Sequence, residues 1–177
     1  MKKLITLTLI FAMLMSLMPT ASARAAVMAP YPNVVVGTNT VTKQQAMGSV
    51  ALQVTVPVYI YYNAGIATFM LNVEYEDGLQ LTNVSRGDLT SAGIFQWNSL
   101  SGDDRITWLN LAGGVQGDGV LFNLTFTVTG TWDGTKGVSV SLVGGYEKNM
   151  AYYSGASAFP YFTAGGVHMT ESEIAVM

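Results

Sequence analysis

The sequence has 177 residues, which predicts a single domain. Hydrophobic residues make up 50% and charged residues only 11%, with 19 glycines, a composition that excludes a disordered chain and is typical of an all-β globular domain. The formal net charge of −3 lacks the basic excess that nucleic-acid binding requires, and the absence of cysteine excludes disulfides, so a hydrophobic core must hold the fold.

Residues 1–25 have the three-part pattern of a secretory signal peptide. Two lysines precede an apolar run that ends at Met18, and small residues follow. The run is shorter than the roughly 20 residues of a spanning helix, so we expect no membrane span. Cleavage after Ala23 and cleavage after Ala25 both fit the pattern. We therefore expect a secreted, extracellular protein, either free or held at a cell surface.

Period-two alternation dominates the rest of the chain and predicts nine strands. Residues 26–32 form a short lead, 33–170 the β-domain and 171–177 a tail. Asp/Gly turn signals such as Asp77-Gly78 separate the strands, which predicts a sandwich or barrel. Pro57 cannot donate a ladder hydrogen bond, so we expect an edge or a bulge there. The nine strands are expected near residues 33–36, 50–60, 68–75, 79–85, 94–98, 106–111, 120–128, 138–143 and 166–169.

The alternation also predicts which side chains share a face. Two strands place apolar and aromatic residues among polar ones, which is the composition of the centre of a protein interface. The alternative is that a loop of the same chain covers this face. The residues assigned to it are Thr68, Met70, Asn72, Ile106, Trp108 and Asn110.

Groups for catalysis and metal binding are scarce in the sequence. The sequence has a single histidine, His168, and no cysteine. With so few of these residues, a zinc site and a Ser-His or Cys-His nucleophilic pair have too few parts. Two carboxylates suffice for a glycosidase, and carboxylates also bind calcium. However, the carboxylates of Glu74, Glu76, Asp77, Asp103 and Asp104 are predicted as solvated turn residues, and no EF-hand pattern is present. We expect a protein that is not an enzyme and holds no cofactor or metal.

Short motifs follow one another in a particular order along residues 33–170. They are Val54-Thr55-Val56-Pro57-Val58, Asn63, Gly65-Ile66-Ala67, Glu74-Tyr75-Glu76-Asp77, Arg86-Gly87-Asp88-Leu89, Asp118-Gly119-Val120-Leu121-Phe122, Val143-Gly144-Gly145-Tyr146 and Gly165-Gly166-Val167. Their order and spacing resemble the cohesins, the dockerin-binding modules of cellulosome-type assemblies.

The resemblance implies a nine-stranded jelly-roll β-sandwich, immunoglobulin-like in general architecture. It implies a dockerin-containing enzyme or scaffoldin as the partner, with calcium on the dockerin and none on this chain. The binding face would lie on the sheet that contains the strands near 68–74, 94–98, 106–111 and 138–143. Leu142 would join that face, although its strand also fits the core.

The chain departs from the family pattern at this face. Many cohesins place Asp where Met70 stands and an acidic residue near Leu142. An apolar centre would bind a matching apolar patch and reject a polar group left unpaired on burial. The resemblance therefore implies a divergent partner specificity.

A carbohydrate-binding module of β-sandwich fold is the alternative function. Such a module needs a row of exposed aromatic side chains, for which Trp97, Trp108 and Trp132 are the candidates. In the dockerin-binding hypothesis, contact with polysaccharide is only indirect, through the partner.

Overall fold

The computed structural model describes residues 31–49, 51–100, 103–143, 150–152 and 161–171. The expected signal peptide, most of the lead and most of the tail lie outside these residues. Within them the chain forms twelve strands and one short helix, α1 (Lys43–Gly48). The strands are β1 (Asn33–Val36), β2 (Thr38–Thr42), β3 (Leu52–Tyr61), β4 (Ile66–Tyr75), β5 (Leu79–Arg86), β6 (Ile94–Leu100), β7 (Asp103–Leu109), β8 (Gly119–Val128), β9 (Gly134–Leu142), β10 (Met150–Tyr152), β11 (Tyr161–Thr163) and β12 (Gly165–Thr170).

The strands form two sheets that pack face to face. The small sheet has the order β11-β1-β3-β8-β5, and the large sheet has the order β2-β12-β9-β4-β7-β6, with β10 also paired to β4. Each of the nine predicted strands is present, and three short strands, β2, β10 and β11, are added. The predicted all-β jelly-roll sandwich is confirmed.

The core lies between the sheets and is built by the predicted alternation. Every second side chain of β3 is buried from Val54 to Ile60, and the same alternation runs from Phe69 to Val73 in β4 and from Phe122 to Val128 in β8. The rings of Phe69 in the large sheet and Phe122 in the small sheet lie 5.8 Å apart between centroids and join the layers. Burying each such side chain contributes about 1.5–3 kcal/mol to the stability of the folded state. This burial stabilises the fold in the absence of disulfides.

The chain crosses between the sheets at two adjacent places. β1 and β11 pair in parallel in the small sheet, and their continuations β2 and β12 pair in parallel in the large sheet. The crossings approach so closely that a Cβ on Gly165 would lie 2.1 Å from the Gly37 carbonyl oxygen. A side chain at position 165 would therefore separate the crossings.

Pro57 lies in β3 where that strand changes its pairing. The pairing of β3 with β1 ends at Val58, and the register with β8 shifts between Val58 and Tyr59. The Pro57 carbonyl accepts a 2.8 Å hydrogen bond from Gly37 N, so the nitrogen without hydrogen faces the point where β1 leaves the sheet. The predicted bulge is confirmed beside Pro57.

Helix α1 is the one element type that the sequence did not indicate. Thr42 and Gln45 form a reciprocal capping box at its N-terminus. Lys43 Nζ contacts Asp133 at 2.5 Å and Glu171 at 2.6 Å, which ties the helix to the turn before β9 and to the residue after β12. No helix in the described part of the chain is long and apolar enough to cross a membrane.

Candidate binding face

The outer face of the large sheet is the surface that the sequence predicted as a binding site. Strands β6, β7, β4 and β9 lie side by side in it, as the resemblance implied. Strand register aligns their outward side chains in rows. The outward residues of this face are Ile94, Gln96 and Asn98 on β6, Asp103, Arg105, Thr107 and Leu109 on β7, Thr68, Met70, Asn72 and Glu74 on β4, and Ser139 and Ser141 on β9.

One end of this face is apolar. Ile94 pairs with Leu109, and their side chains are 52% and 37% exposed. Leu111, in the turn that follows β7, is 79% exposed. Met70, one row inward, pairs with Thr107 and is half-buried. Contiguous exposed apolar side chains with polar neighbours are typical of a protein-interaction surface.

The middle of the face is polar. Asn98, Arg105, Asn72 and Ser141 form one row across four strands. The Arg105 guanidinium contacts the Asp103 carboxylate at 2.8 Å. Within the described residues, Arg105 Nε and Asn72 Oδ1 are buried without a hydrogen-bond partner. These two atoms are shielded from solvent, so a partner on this face would contact the exposed groups of the same row, namely Asn98, Ser141 and the Arg105 side chain, which is 41% exposed.

The structure corrects the predicted facing of Ile106 and Trp108. Both are fully buried, at 0% exposure, and the Trp108 ring packs on Phe69 with centroids 5.6 Å apart. The indole Nε1 donates a 2.8 Å hydrogen bond to the Ala92 carbonyl. At Gly93, where φ is +89°, a Cβ would lie only 2.5 Å from the Leu109 oxygen, so the chain passes closely over this edge. Trp108 and Ile106 are core residues and cannot contact a partner on this face.

The remaining predicted site residues divide between the face and other positions. Leu142 is 5% exposed and belongs to the core, so its placement on the face is wrong. Asn110 lies just after β7, where its Oδ1 accepts a 3.1 Å hydrogen bond from Ala112 N and shapes the turn. Thr68, Met70 and Asn72 are on the outer face, and the Thr68 hydroxyl donates to the Trp108 carbonyl at 2.8 Å.

Sequence reasoning missed most of the face on β7 and β6. The outward β7 residues are Asp103, Arg105, Thr107 and Leu109, the opposite parity from the predicted set of Ile106, Trp108 and Asn110. The polar residues Arg105 and Thr107 were the available sequence signal that this parity of β7 faces outward. The position of Ile94 and Gln96 on this face follows from the pairing of β6 with β7. The sequence alone does not specify that pairing.

A buried carboxylate supports the sheet beneath this face. Asp104 was predicted as a solvated turn residue, but it lies in β7 and is 2% exposed. Its carboxylate accepts hydrogen bonds from the Tyr75 hydroxyl at 2.9 Å and from Trp97 Nε1 at 3.0 Å, which joins β4, β6 and β7. Burial, with the Asp104 hydrogen bond second, raises the pKa of Tyr75 above its ordinary value.

Asn63 fixes the loop beside the apolar end. This residue is 7% exposed, and its Nδ2 donates to the carbonyls of Val115 at 2.8 Å and Gly117 at 3.0 Å. Its Oδ1 accepts from the backbone nitrogens of Gly65 at 3.1 Å and Ile66 at 2.9 Å. The family-like Asn therefore has a structural role: it ties the turn before β4 to the loop after β7.

The tryptophan row that a carbohydrate-binding module would need is not formed. Trp108 is buried, Trp97 bonds to the buried Asp104, and Trp132 packs beside Gly78 at one end of the sandwich. Among the described residues, no group of three or more His, Cys, Asp or Glu side chains is placed to hold a metal ion. An open concavity of about 370 Å³ lies beside Glu74 and Glu76, and the Glu76 carboxylate there accepts a hydrogen bond from Gly137 N.

The fold has counterparts among solved structures, and cohesin modules are among them. A non-cellulosomal cohesin from the archaeon Archaeoglobus fulgidus is 20% identical and superimposes with a TM-score of 0.64 over 81% of this chain and 94% of that one. A matched chain in a type I cohesin–dockerin complex from Clostridium thermocellum is 15% identical and superimposes with a TM-score of 0.64 over 80% of this chain and 100% of that one. The seventh ScaB type I cohesin of Pseudobacteroides cellulosolvens is 21% identical and superimposes with a TM-score of 0.60 over 80% of this chain and 94% of that one.

These likenesses define the class of the protein at the level of fold. The chain is a β-sandwich with the cohesin fold, as the motif order predicted. No protein-family model matches the sequence, and no curated protein matches it in a sequence search.

Proposed function

We propose that this chain is a non-catalytic module that docks a dockerin-containing protein, an enzyme or a scaffoldin, through the outer face of the large sheet. The observation that carries the proposal is the cohesin fold combined with an exposed, partly apolar face on β6, β7 and β4. Several of the similar cohesins were solved in complex with dockerins. Calcium would be held by the partner.

The face itself suggests what the partner must present. The partner should present an apolar patch to Ile94, Leu109 and Met70, because a polar group buried there would lose its hydrogen bonds to water. Arg105 and Asn72 lie on the same face beside that patch, so the partner should present hydrogen-bonding groups next to its apolar part. The proposed specificity is therefore for a dockerin that is apolar at one end of its contact surface and polar beside it.

The proposed location is outside the cell. A signal-peptide pattern in residues 1–25 supports export, and one of the similar cohesin modules belongs to a cell-surface anchoring scaffoldin. Attachment to a cell surface is compatible with this proposal.

The test is a binding assay against dockerins from the same organism with calcium present. We expect at least one dockerin to bind with a Kd of about 1 nM, and the double variant Ile94→Ala/Leu109→Ala to weaken that binding about tenfold or more. The matched control is Tyr61→Ala/Tyr161→Ala, which removes exposed side chains from the small sheet and should leave dockerin affinity unchanged.

Two results would contradict this proposal in different ways. If no dockerin in the panel binds, the chain is not a dockerin-binding module. If a dockerin binds the Ile94→Ala/Leu109→Ala variant as tightly as the unmodified protein, the partner uses another surface.

A further inference from the structure

Among the described residues, the five strands of the small sheet place no charged side chain on its outer face. Its five strands contain one charged residue, Arg86, and this side chain points away from the face: it lies 5.8 Å from the Phe95 ring centre and donates to the Ser91 carbonyl. The outward residues of this face are Tyr161 and Thr163 on β11, Asn33 and Val35 on β1, Gln53, Thr55, Pro57, Tyr59 and Tyr61 on β3, Val120, Asn123, Thr125 and Thr127 on β8, and Gln80, Asn83 and Ser85 on β5.

One end of this face is a cluster of tyrosines. Strand register places Tyr61, Asn33 and Tyr161 in one row, so the two tyrosine Cα atoms lie about 10 Å apart across two strand spacings. The Tyr59 and Tyr61 rings are nearly parallel, with an interplanar angle of 23° and centroids 6.1 Å apart. Tyr31 meets Tyr161 edge to face at 5.7 Å.

The tyrosines are open to solvent. Tyr161 is 62% exposed, Tyr31 40% and Tyr61 39%. Each ring offers an apolar face together with a hydroxyl group that both donates and accepts hydrogen bonds. A sheet surface with exposed rings, bordered by amide and hydroxyl side chains, is suited to a ligand that is itself neutral and rich in hydroxyl groups.

We infer that this face is a second binding site, and that its ligand is a neutral polysaccharide chain. Sugar rings present C–H groups that pack on aromatic faces and hydroxyls that pair with amide and hydroxyl side chains. The lack of charge on the face disfavours nucleic acid and anionic polymers, which require cationic side chains. A row of side chains across several strands matches a linear polymer. This inference is independent of dockerin binding, which was assigned to the opposite sheet.

The test measures retention of the purified protein on cellulose, mannan and xylan, with polygalacturonic acid as an anionic control. We expect retention on at least one neutral polysaccharide that persists in about 0.5 M NaCl, because no charge pair is screened. Tyr61→Ala/Tyr161→Ala should lower the affinity about tenfold or more, since two exposed rings are removed. Ile94→Ala/Leu109→Ala, on the other sheet, is the matched control and should bind as the unmodified protein does.

Three kinds of result would overturn the inference. One is the absence of retention on every neutral polysaccharide tested. Another is retention that disappears in salt or that survives the loss of both tyrosines in a folded variant, as judged by circular dichroism. The third is a monomer–dimer equilibrium in analytical ultracentrifugation that the tyrosine substitutions abolish without any polysaccharide retention, because the face would then belong to a second copy of the chain.

Discussion

Two neighbours on β7, Trp108 and Leu109, have opposite roles although both are apolar. Trp108 is fully buried against Phe69, and its indole nitrogen is bonded to the Ala92 carbonyl. Leu109 is 37% exposed and pairs with Ile94 on the outer face. Side chains alternate along a strand, so one residue step moves a side chain from the core to the binding face.

This difference predicts separate effects for the two substitutions. Trp108→Ala should lower the free energy of unfolding by about 3–5 kcal/mol, because it leaves a large cavity in the core. Leu109→Ala should change it by at most about 0.5 kcal/mol, as is usual for surface positions. Urea unfolding followed by fluorescence or circular dichroism measures both values. Equal losses would show that the facing of β7 is wrong.

At the scale of elements, alternation predicts well where the strands lie. It predicts which side chains of a strand face the core only where one of the two alternating sets is clearly polar. β8 has a clear apolar face from Phe122 to Val128, and these residues were predicted correctly, but Leu121, which the alternation placed on the polar face, is also buried. β7 has apolar residues on both parities: Ile106 and Trp108 on one, Leu109 and the nearby Leu111 on the other. The predicted strand ran to residue 111, whereas β7 ends at Leu109, and the apolar residue beyond the end shifted the assignment.

The short elements were missed for a different physical reason. β2, β10, β11 and α1 have three to six residues each, too few for a period to be detected. β2 and β11 form because the chain crosses between the sheets in two parallel segments, a long-range arrangement. Pairing of distant strands also decides which residues share the candidate face, so that face could be only partly assigned from the sequence.

The link between β4 and β7 through Tyr75 predicts a pH dependence of stability. Burial and the Asp104 hydrogen bond raise the pKa of Tyr75 above its unfolded value of 10.0. The folded state therefore holds this proton more tightly, and the stabilisation is complete below pH 10 and is lost as the pH rises through the raised pKa. The unmodified protein should lose stability above about pH 10 more steeply than Tyr75→Phe, which has no hydroxyl to ionise.

Thermal or urea unfolding at a series of pH values compares the two proteins. The raised pKa of Lys43, which comes first from its hydrogen bond to Asp133, acts in the same direction but is common to both and cancels in the difference. Parallel pH profiles for the unmodified protein and Tyr75→Phe would contradict the proposed role of this hydroxyl.

At the scale of the whole molecule, the two sheets turn their outer faces in opposite directions. Stacked sheets lie about 10 Å apart, so a ligand on one outer face does not touch a ligand on the other. The large sheet presents an apolar end with an arginine beside it, and the small sheet presents uncharged tyrosine, threonine and amide side chains. The two surfaces differ in chemistry as well as in direction, which favours two different ligands over one partner that wraps around the sandwich.

If both proposals hold, the protein should bind a dockerin and a polysaccharide at the same time. Protein retained on a neutral polysaccharide should capture the cognate dockerin with the same affinity as protein in solution, because no contact links the two faces directly. The measurement is a co-sedimentation assay in which dockerin is titrated onto polysaccharide-bound protein. Tyr61→Ala/Tyr161→Ala should leave both proteins in the supernatant as a complex, whereas Ile94→Ala/Leu109→Ala should pellet alone. Release of the protein from the polysaccharide by dockerin would show that the two ligands compete for one surface, contrary to the placement of the sites on opposite sheets.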